Sequence, residues 1–202
     1  KCNLYDTGIG VSLIIKYPGN KRKGEAIDSL VSHLDIFPTI CDVLDLEIPE
    51  YLTGFSLRPL MEDKVNEVRD EIFAEVTYHA VYEPMRCIRT KRYKLIRYFD
   101  DFPHPHPANI DGSVVKDFMA DAGLLEQERK KTMLFDLYLD PVERINLADD
   151  DGYSSVFEEL SARLFKWMVD TGDPLLQGKI EKPPGAITNK RTCYSPRTED
   201  YE

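Results

Sequence analysis

Residues 8–18 (Gly8-Ile9-Gly10-Val11-Ser12-Leu13-Ile14-Ile15-Lys16-Tyr17-Pro18) form an apolar, β-branched run bounded by glycines and closed by a Pro-Gly turn. That is the pattern of a buried strand. The basic turn Lys21-Arg22-Lys23-Gly24 follows, and a second extended stretch is expected over 26–31. Asp35 then reads as a helix N-cap, with Pro38 in the first turn, where its missing N–H costs nothing. The helix runs on through Ile40, Val43 and Leu44, and Pro49 ends it. A strand followed by a capped helix suits the edge of an α/β layer.

The pattern changes after about residue 65. Residues 71–78 look like a strand, and 85–99 read as a hairpin turning at Thr90-Lys91-Arg92. Leu134-Phe135-Asp136-Leu137 is a further short strand, closed by the Asp140-Pro141 turn signal. The clearest helix covers 154–171. Val156, Phe157, Leu160, Leu164, Trp167 and Met168 recur at helical spacing, Ser155 with Glu158 forms a capping box, and Gly172 stops the helix. Several strands and one amphipathic helix predict a small antiparallel α+β domain. From Asp173 on, Pro, Gly, Lys and Thr dominate, the pattern of an extended tail over the surface. No internal repeat is visible.

The 202 residues carry 26 basic and 36 acidic side chains, a net charge of −10, with 42% hydrophobic and 31% charged residues. This is a globular composition with enough chain to bury a core. No apolar run reaches the ~18 to 20 residues of a spanning helix, so no membrane span is expected. The acidic balance argues against broad nucleic-acid binding. Cys2, Cys41, Cys87 and Cys193 are far apart, with no CxxC pair and no zinc-ribbon spacing. Cys41 and Cys87 read as core thiols. The opening Lys1-Cys2-Asn3 has no initiator Met and no apolar signal core, so a truncated or processed start is expected.

Four segments carry a family likeness. Lys1 to Val11 resembles the sulfatase stretch K-x-x-L-Y-x-x-G-x-x-V, and Val31 to Thr39 resembles V-S-x-x-D-I-x-P-T. Gly54-Phe55-Ser56-Leu57-Arg58-Pro59-Leu60 is similar to G-x-S-L-x-P-L. Leu134 to Leu147 is similar to L-Y-D-L-x-x-D-P-x-E-x-x-N-L. Each match alone is weak, but the four fall in the family's order. Glu75-Val76-Thr77-Tyr78-His79 and Pro84-Met85-Arg86-Cys87-Ile88-Arg89-Thr90 look most like the sulfamidase (N-sulfoglucosamine sulfohydrolase) branch of the sulfatases. The resemblance implies an α/β fold of the alkaline-phosphatase type. Residues 1–65 would be the last part of the large α/β domain, 66–175 a smaller C-terminal α+β subdomain with an antiparallel sheet, and 176–202 an extended tail. The chain would then be the C-terminal portion of a longer enzyme, with the missing N-terminal part as its partner.

Such an enzyme transfers SO3 from a sugar oxygen or nitrogen to a nucleophile, and fixed positive groups must hold the shifting charge. The family uses a formylglycine made from cysteine in C-x-P-x-R, beside a calcium ion held by carboxylates. That motif is absent. In Cys193-Tyr194-Ser195-Pro196-Arg197 the proline falls one place late, and a surface turn is the simpler reading. Asp149-Asp150-Asp151 reads as a solvated loop. No metal ligand is therefore assigned within these residues, and calcium and formylglycine are expected before Lys1. Lys1 falls on the family lysine that contacts the sulfate group, which makes it the catalytic candidate; the plainer alternative is a surface lysine. His79, Tyr78, Glu75 and Arg86 are the substrate-binding candidates, with Arg86 as a bidentate fork; the alternative for His79 is a strand-end residue on an irregular loop.

His33 reads as a packing or hydrogen-bonding residue, and His104 and His106, alternating with prolines, as a rigid exposed loop. Arg86, Arg89, Lys91, Arg92, Lys94 and Arg97 form a basic strip suited to a sulfated glycan, or a plain solvated hairpin face. The leading expectation is a sulfuric ester or sulfamate hydrolase acting on a sugar such as the N-sulfoglucosamine of heparan-type glycans, this portion alone being inactive. The alternatives are a phosphodiesterase or phosphonate monoester hydrolase of the same superfamily, and a non-catalytic glycan-binding domain. The family resemblance suggests a periplasmic, secreted or lysosomal setting.

Overall fold

The structure, a computed structural model, describes residues 3–202. Lys1, the catalytic candidate, and Cys2 lie outside the described residues. The chain divides into two compact units, one of residues 3–10, 73–88 and 93–202, the other of 11–72 and 89–92.

The first unit is built on a four-stranded antiparallel sheet of order β1 (Glu71–Tyr78), β2 (Tyr82–Thr90), β3 (Tyr93–Tyr98) and β4 (Thr132–Asp136). The strands and the hairpin turn fall close to where the sequence predicts them. β3 and β4 pair antiparallel, with Leu95 opposite Leu134 and Ile96 opposite Met133. Successive side chains leave opposite faces of a strand, so this register builds two cores. Leu95, Leu134 and Ile88 meet Leu160 and Leu164 of helix α5 (Ser154–Asp170), with Phe73 stacked on Trp167 at 4.9 Å. Met85, Cys87, Ile96, Met133 and Phe135 on the other face meet Leu4, Tyr5 and Ile9, which flank and form the single-turn helix α1 (Asp6–Ile9).

That second core encloses a charge. Lys94 is fully buried, and its ammonium pairs with Asp6 and with Glu143 at 2.7 Å. Glu143, itself held at φ 54°, also accepts the Asp6 N–H at 2.6 Å. The solvated hairpin face is thus corrected at two positions. Lys94 and Arg86 are buried in ion pairs, while Lys91, Arg92 and Arg97 stay exposed.

The second unit is organised by Asp35, which is fully buried. It stands at the N-cap position of the helix that follows, as expected, but its side chain makes no capping bond to that helix. Ser32 is the cap of a 3-10 turn (His33–Asp35), and Asp35 returns the bond as the third residue of a capping box, accepting Ser32 N–H at 2.7 Å. Its other oxygen accepts Phe55 N–H at 2.8 Å and pairs with Arg69. Helix α2 (Ile36–Val43) follows, and α3 (Arg58–Met61) completes the unit's helices. A Cβ on Gly54 would lie 1.9 Å from the Leu34 carbonyl oxygen, so only glycine passes there. The buried strand expected over 8–18 does not form, and the stretch 26–31 joins no ladder. No strand pairs with them among the described residues, and Ile14 stands 93% exposed. An extended run without a ladder partner has no hydrogen bonds to fix it.

Other local expectations shift by one element. α5 is entered through a 3-10 turn capped by Asp150, which accepts Gly152 N–H at 2.8 Å, and no Ser155–Glu158 box forms. His33 is exposed rather than packed. Helix α4 (Val114–Asp121), capped by Ser113, was not expected. The His-Pro segment folds inward: His106 is buried and stacks on Phe102 at 4.3 Å. Cys193 is buried too, against Val81 and Ala108, rather than displayed on a surface turn. No helix among the described residues is long and apolar enough to cross a membrane.

Removing one partner of a buried pair strands the other charge. Lys94→Ala is expected to destabilise the full-length protein by about 3 to 5 kcal/mol, read as a lower urea midpoint. Burial pushes the Cys87 thiol up to about 12, so it is expected to resist alkylation at pH 8 until the protein is unfolded. Mass spectrometry of alkylated native and denatured protein measures this.

Candidate functional site

An open groove of about 740 Å³ lies beside the end of β1. Glu75, Tyr78, His79 and Arg86 all line it, together with residues 180–183 and 186–188 of the segment after α5. The four candidate substrate-binding residues therefore share one cavity. They occupy different depths: Glu75 and His79 are exposed, Tyr78 is half-buried, and Arg86 forms the floor.

Arg86 is already engaged. Its fork meets the Asp173 carboxylate, Nε to Oδ2 at 2.5 Å and Nη2 to Oδ1 at 3.0 Å. Nη1 donates to the carbonyls of Val76 at 2.9 Å and Met85 at 3.0 Å. The bidentate grip expected for a substrate is thus made to Asp173, since both side chains are buried and each would be costly alone. Glu75 approaches Arg86 Nε at 3.1 Å from the groove side. Burial raises the Asp173 pKa, but the Arg86 guanidinium and the Leu175 N–H outweigh it and hold the carboxyl below the usual range.

Tyr78 closes one wall. Its hydroxyl donates to the Ile180 carbonyl at 2.9 Å, and its ring packs on Tyr82 at 4.9 Å. Burial, then the neighbouring Tyr82 and acidic groups, raise its pKa, so the phenol is a neutral donor. The Ile180 N–H donates to the Tyr82 hydroxyl at 3.3 Å, so both tyrosines hold the segment that forms the opposite wall. The groove offers an imidazole, a carboxylate and Lys182 along its sides. That is hydrogen-bonding chemistry suited to a polyhydroxylated, charged ligand.

The family model for N-sulphoglucosamine sulphohydrolase, C-terminal, matches residues 1–119, more than half of the chain. The chain belongs to this family. It is thereby a C-terminal sulfatase region of the alkaline-phosphatase superfamily. The chain is 29% identical over 188 residues to an ulvan-active sulfatase of Formosa agariphila, covering 91% of this chain and 38% of that protein. It is 29% identical over 219 residues to the human N-sulphoglucosamine sulphohydrolase, covering 94% of this chain and 42% of that one. Among solved structures it resembles a 2-O GAG sulfatase at 25% identity with a TM-score of 0.53, over 74% of this chain and 27% of that one. The family member described here thus spans about two fifths of the length of the two curated relatives.

The family's cofactors do not fit the residues present. Among the described residues no three His, Cys, Asp or Glu side chains gather so as to hold a metal ion. Cys193 has the wrong spacing to proline for formylglycine, and its buried thiol donates to the Ser195 carbonyl at 3.1 Å. No chemical step is derived through calcium or formylglycine in this chain.

Asp173 and the 178–188 segment were missed by sequence reasoning. Asp173 follows the helix-stopping Gly172 and precedes Pro174, which reads as punctuation. Only an acid directly before Pro174, whose own Oδ1 accepts Leu175 N–H at 3.0 Å, hinted at an ordered turn. Asp173→Ala is expected to cost about 3 to 5 kcal/mol at pH 7. The folded pKa is depressed, so the stabilisation is present above the unfolded value near ~4 and is lost as pH falls through the folded one. The gap between wild type and variant is expected to close as urea melts are taken from pH 7 into that acid range.

Proposed function

We propose that this chain is the C-terminal part of a sulfatase that hydrolyses a sulfate ester or sulfamate on a sugar, with N-sulfoglucosamine of heparan-type glycans as the preferred substrate. The family match carries the class, and the gathering of Glu75, Tyr78 and His79 in one groove carries the assignment of the sugar site. The narrower substrate rests on the likeness of 75–79 and 84–90 to the sulfamidase branch.

In this reading His79 and Glu75 hydrogen-bond the sugar from the groove wall, and Tyr78 shapes that wall. Arg86 sits beneath, fixing the end of β1 and orienting Glu75. Lys1, in the intact protein, contacts the sulfate group. The nucleophile, a formylglycine, and the calcium ion belong to the part of the protein preceding Lys1. The second unit supports this partner. Val11, Ile14, Ile40, Leu44 and Phe55 are all exposed there, more apolar surface than an isolated unit normally leaves in water.

The test is turnover by the full-length protein after maturation by a formylglycine-generating enzyme, on N-sulfated and O-sulfated glucosamine. Hydrolysis of the sulfamate is expected, and no turnover of any sulfated sugar ends the proposal. A faster rate on phosphate esters than on sulfate esters also ends it. His79→Ala is expected to lower kcat/KM about 10- to 100-fold, the loss of one or two hydrogen bonds to a charged or polar substrate.

A further inference from the structure

His79 stands at the start of the turn 79–81 that joins β1 to β2, and the tip of that turn is buried rather than raised into water. Val81 is fully buried against Ala108 and Cys193, and Ala80 packs beside it. A turn that leaves water must find partners for its backbone groups inside the protein. Every backbone group of Ala80 and Val81 has one. The Ala80 carbonyl accepts Asn189 N–H at 2.8 Å, and the Val81 carbonyl accepts His79 N–H at 3.2 Å. The two donors, Ala80 N–H and Val81 N–H, both reach Oδ1 of Asn109, at 3.0 Å and 3.1 Å.

Asn109 is itself buried, and its amide fits in one orientation only. Two backbone N–H groups need an acceptor, so its oxygen faces the turn. Its nitrogen donates to the Glu83 carboxylate of β2 at 2.6 Å. Arg129 Nη1, 3.8 Å from the other Glu83 oxygen, supplies the counter-charge. The backbone that carries Asn109 is held as well. Asn109 N–H donates to the His106 carbonyl at 3.1 Å in a 3-10 turn (Pro107–Asn109). The buried Lys116 ammonium donates to the carbonyls of Pro107 at 2.8 Å and Ile110 at 3.2 Å on either side. Asn109 does not line the groove, so it bears on the groove through the turn.

We propose that Asn109 is a positioning residue for the sugar site. It fixes the turn, and with it the place of the His79 imidazole in the groove, while Glu83 fixes Asn109. A histidine on a mobile turn would be out of reach of a ligand for part of the time, and small misplacements of a binding group are costly. A turn pinned at its buried tip holds the imidazole in place and still leaves it exposed. The inference rests on the reading that His79 hydrogen-bonds the sugar.

The test is a double-mutant cycle in the full-length, matured protein, read as kcat/KM on N-sulfoglucosamine. Asn109→Ala is expected to lower kcat/KM about tenfold when His79 is present, and by less than about twofold in His79→Ala. An equal loss in both backgrounds, the mark of a merely structural role, overturns the proposal, as does no loss in either. Glu83→Gln keeps the shape of the site and weakens the bond that orients the amide. The same pattern is expected of it at about threefold, and it carries the cycle alone if Asn109→Ala does not fold. A second readout is the imidazole NMR spectrum of histidine-labelled protein, with the His79 signals assigned by their loss in His79→Ala. Asn109→Ala and Glu83→Gln are expected to shift those signals, and unmoved signals overturn the proposal. This readout needs no turnover, so the two readings fail separately. Wild-type turnover in His79→Ala removes the sugar contact of His79, and the spectrum then decides the positioning.

Discussion

The first unit hangs on the buried ammonium of Lys94. It sits on the same face of β3 as Ile96 and Tyr98, among Met85, Cys87 and Phe135, where a lone charge would be costly to bury. Two carboxylates offset that cost, Asp6 from α1 and Glu143 from the loop after β4. Glu143 also receives the backbone of Asp6. Three segments far apart in the chain must meet at one point for the charge to be satisfied. Residues 3–10 are thereby fixed on the sheet, and the sheet carries the strand end that bears the groove.

Asp35 and the Arg86–Asp173 pair apply the same principle elsewhere. Asp35 joins Ser32, Phe55 and Arg69 in the second unit. Arg86 joins β2 to the turn after α5 and supports the carbonyls at the end of β1. The shape of the groove is therefore set from beneath by a buried ion pair. Residues above it, Glu75 and His79, remain open to solvent and to chemistry. A buried pair makes a weak argument for stability, but a good one for a unique arrangement.

The sequence was most legible where a periodic pattern coincided with a complete set of neighbours. β1 to β4 and α5 appear close to where strand-like runs and helical spacing place them, because each has a partner to pack against. The run 8–18 has the composition of a strand but no ladder partner among the described residues, and it stays irregular. α4 is short, and its Val114, Val115 and Phe118 are exposed, so it lacks the buried stripe that marks α5. Charges were read least well. Lys94 and Arg86 looked like members of a solvated strip, and His106 like part of an exposed loop. Their partners, Asp6, Glu143, Asp173 and Phe102, are named by the fold and not by any spacing. Glu75, Tyr78 and His79 meet in one groove because they lie at or just past the end of one strand.

The sequence by itself determined the sheet's strands, the long helix, the core thiols Cys41 and Cys87, and the family, because these rest on local periodicity and short ordered motifs. Tertiary structure alone decided which charges are buried, which oxygen Arg86 grips, and how the segment after α5 returns to build the groove wall. The reason is that a hydrophobic period is a property of neighbours along the chain. The worth of a charge is set by its solvation and its counter-charge, and here both come from residues up to 137 positions away.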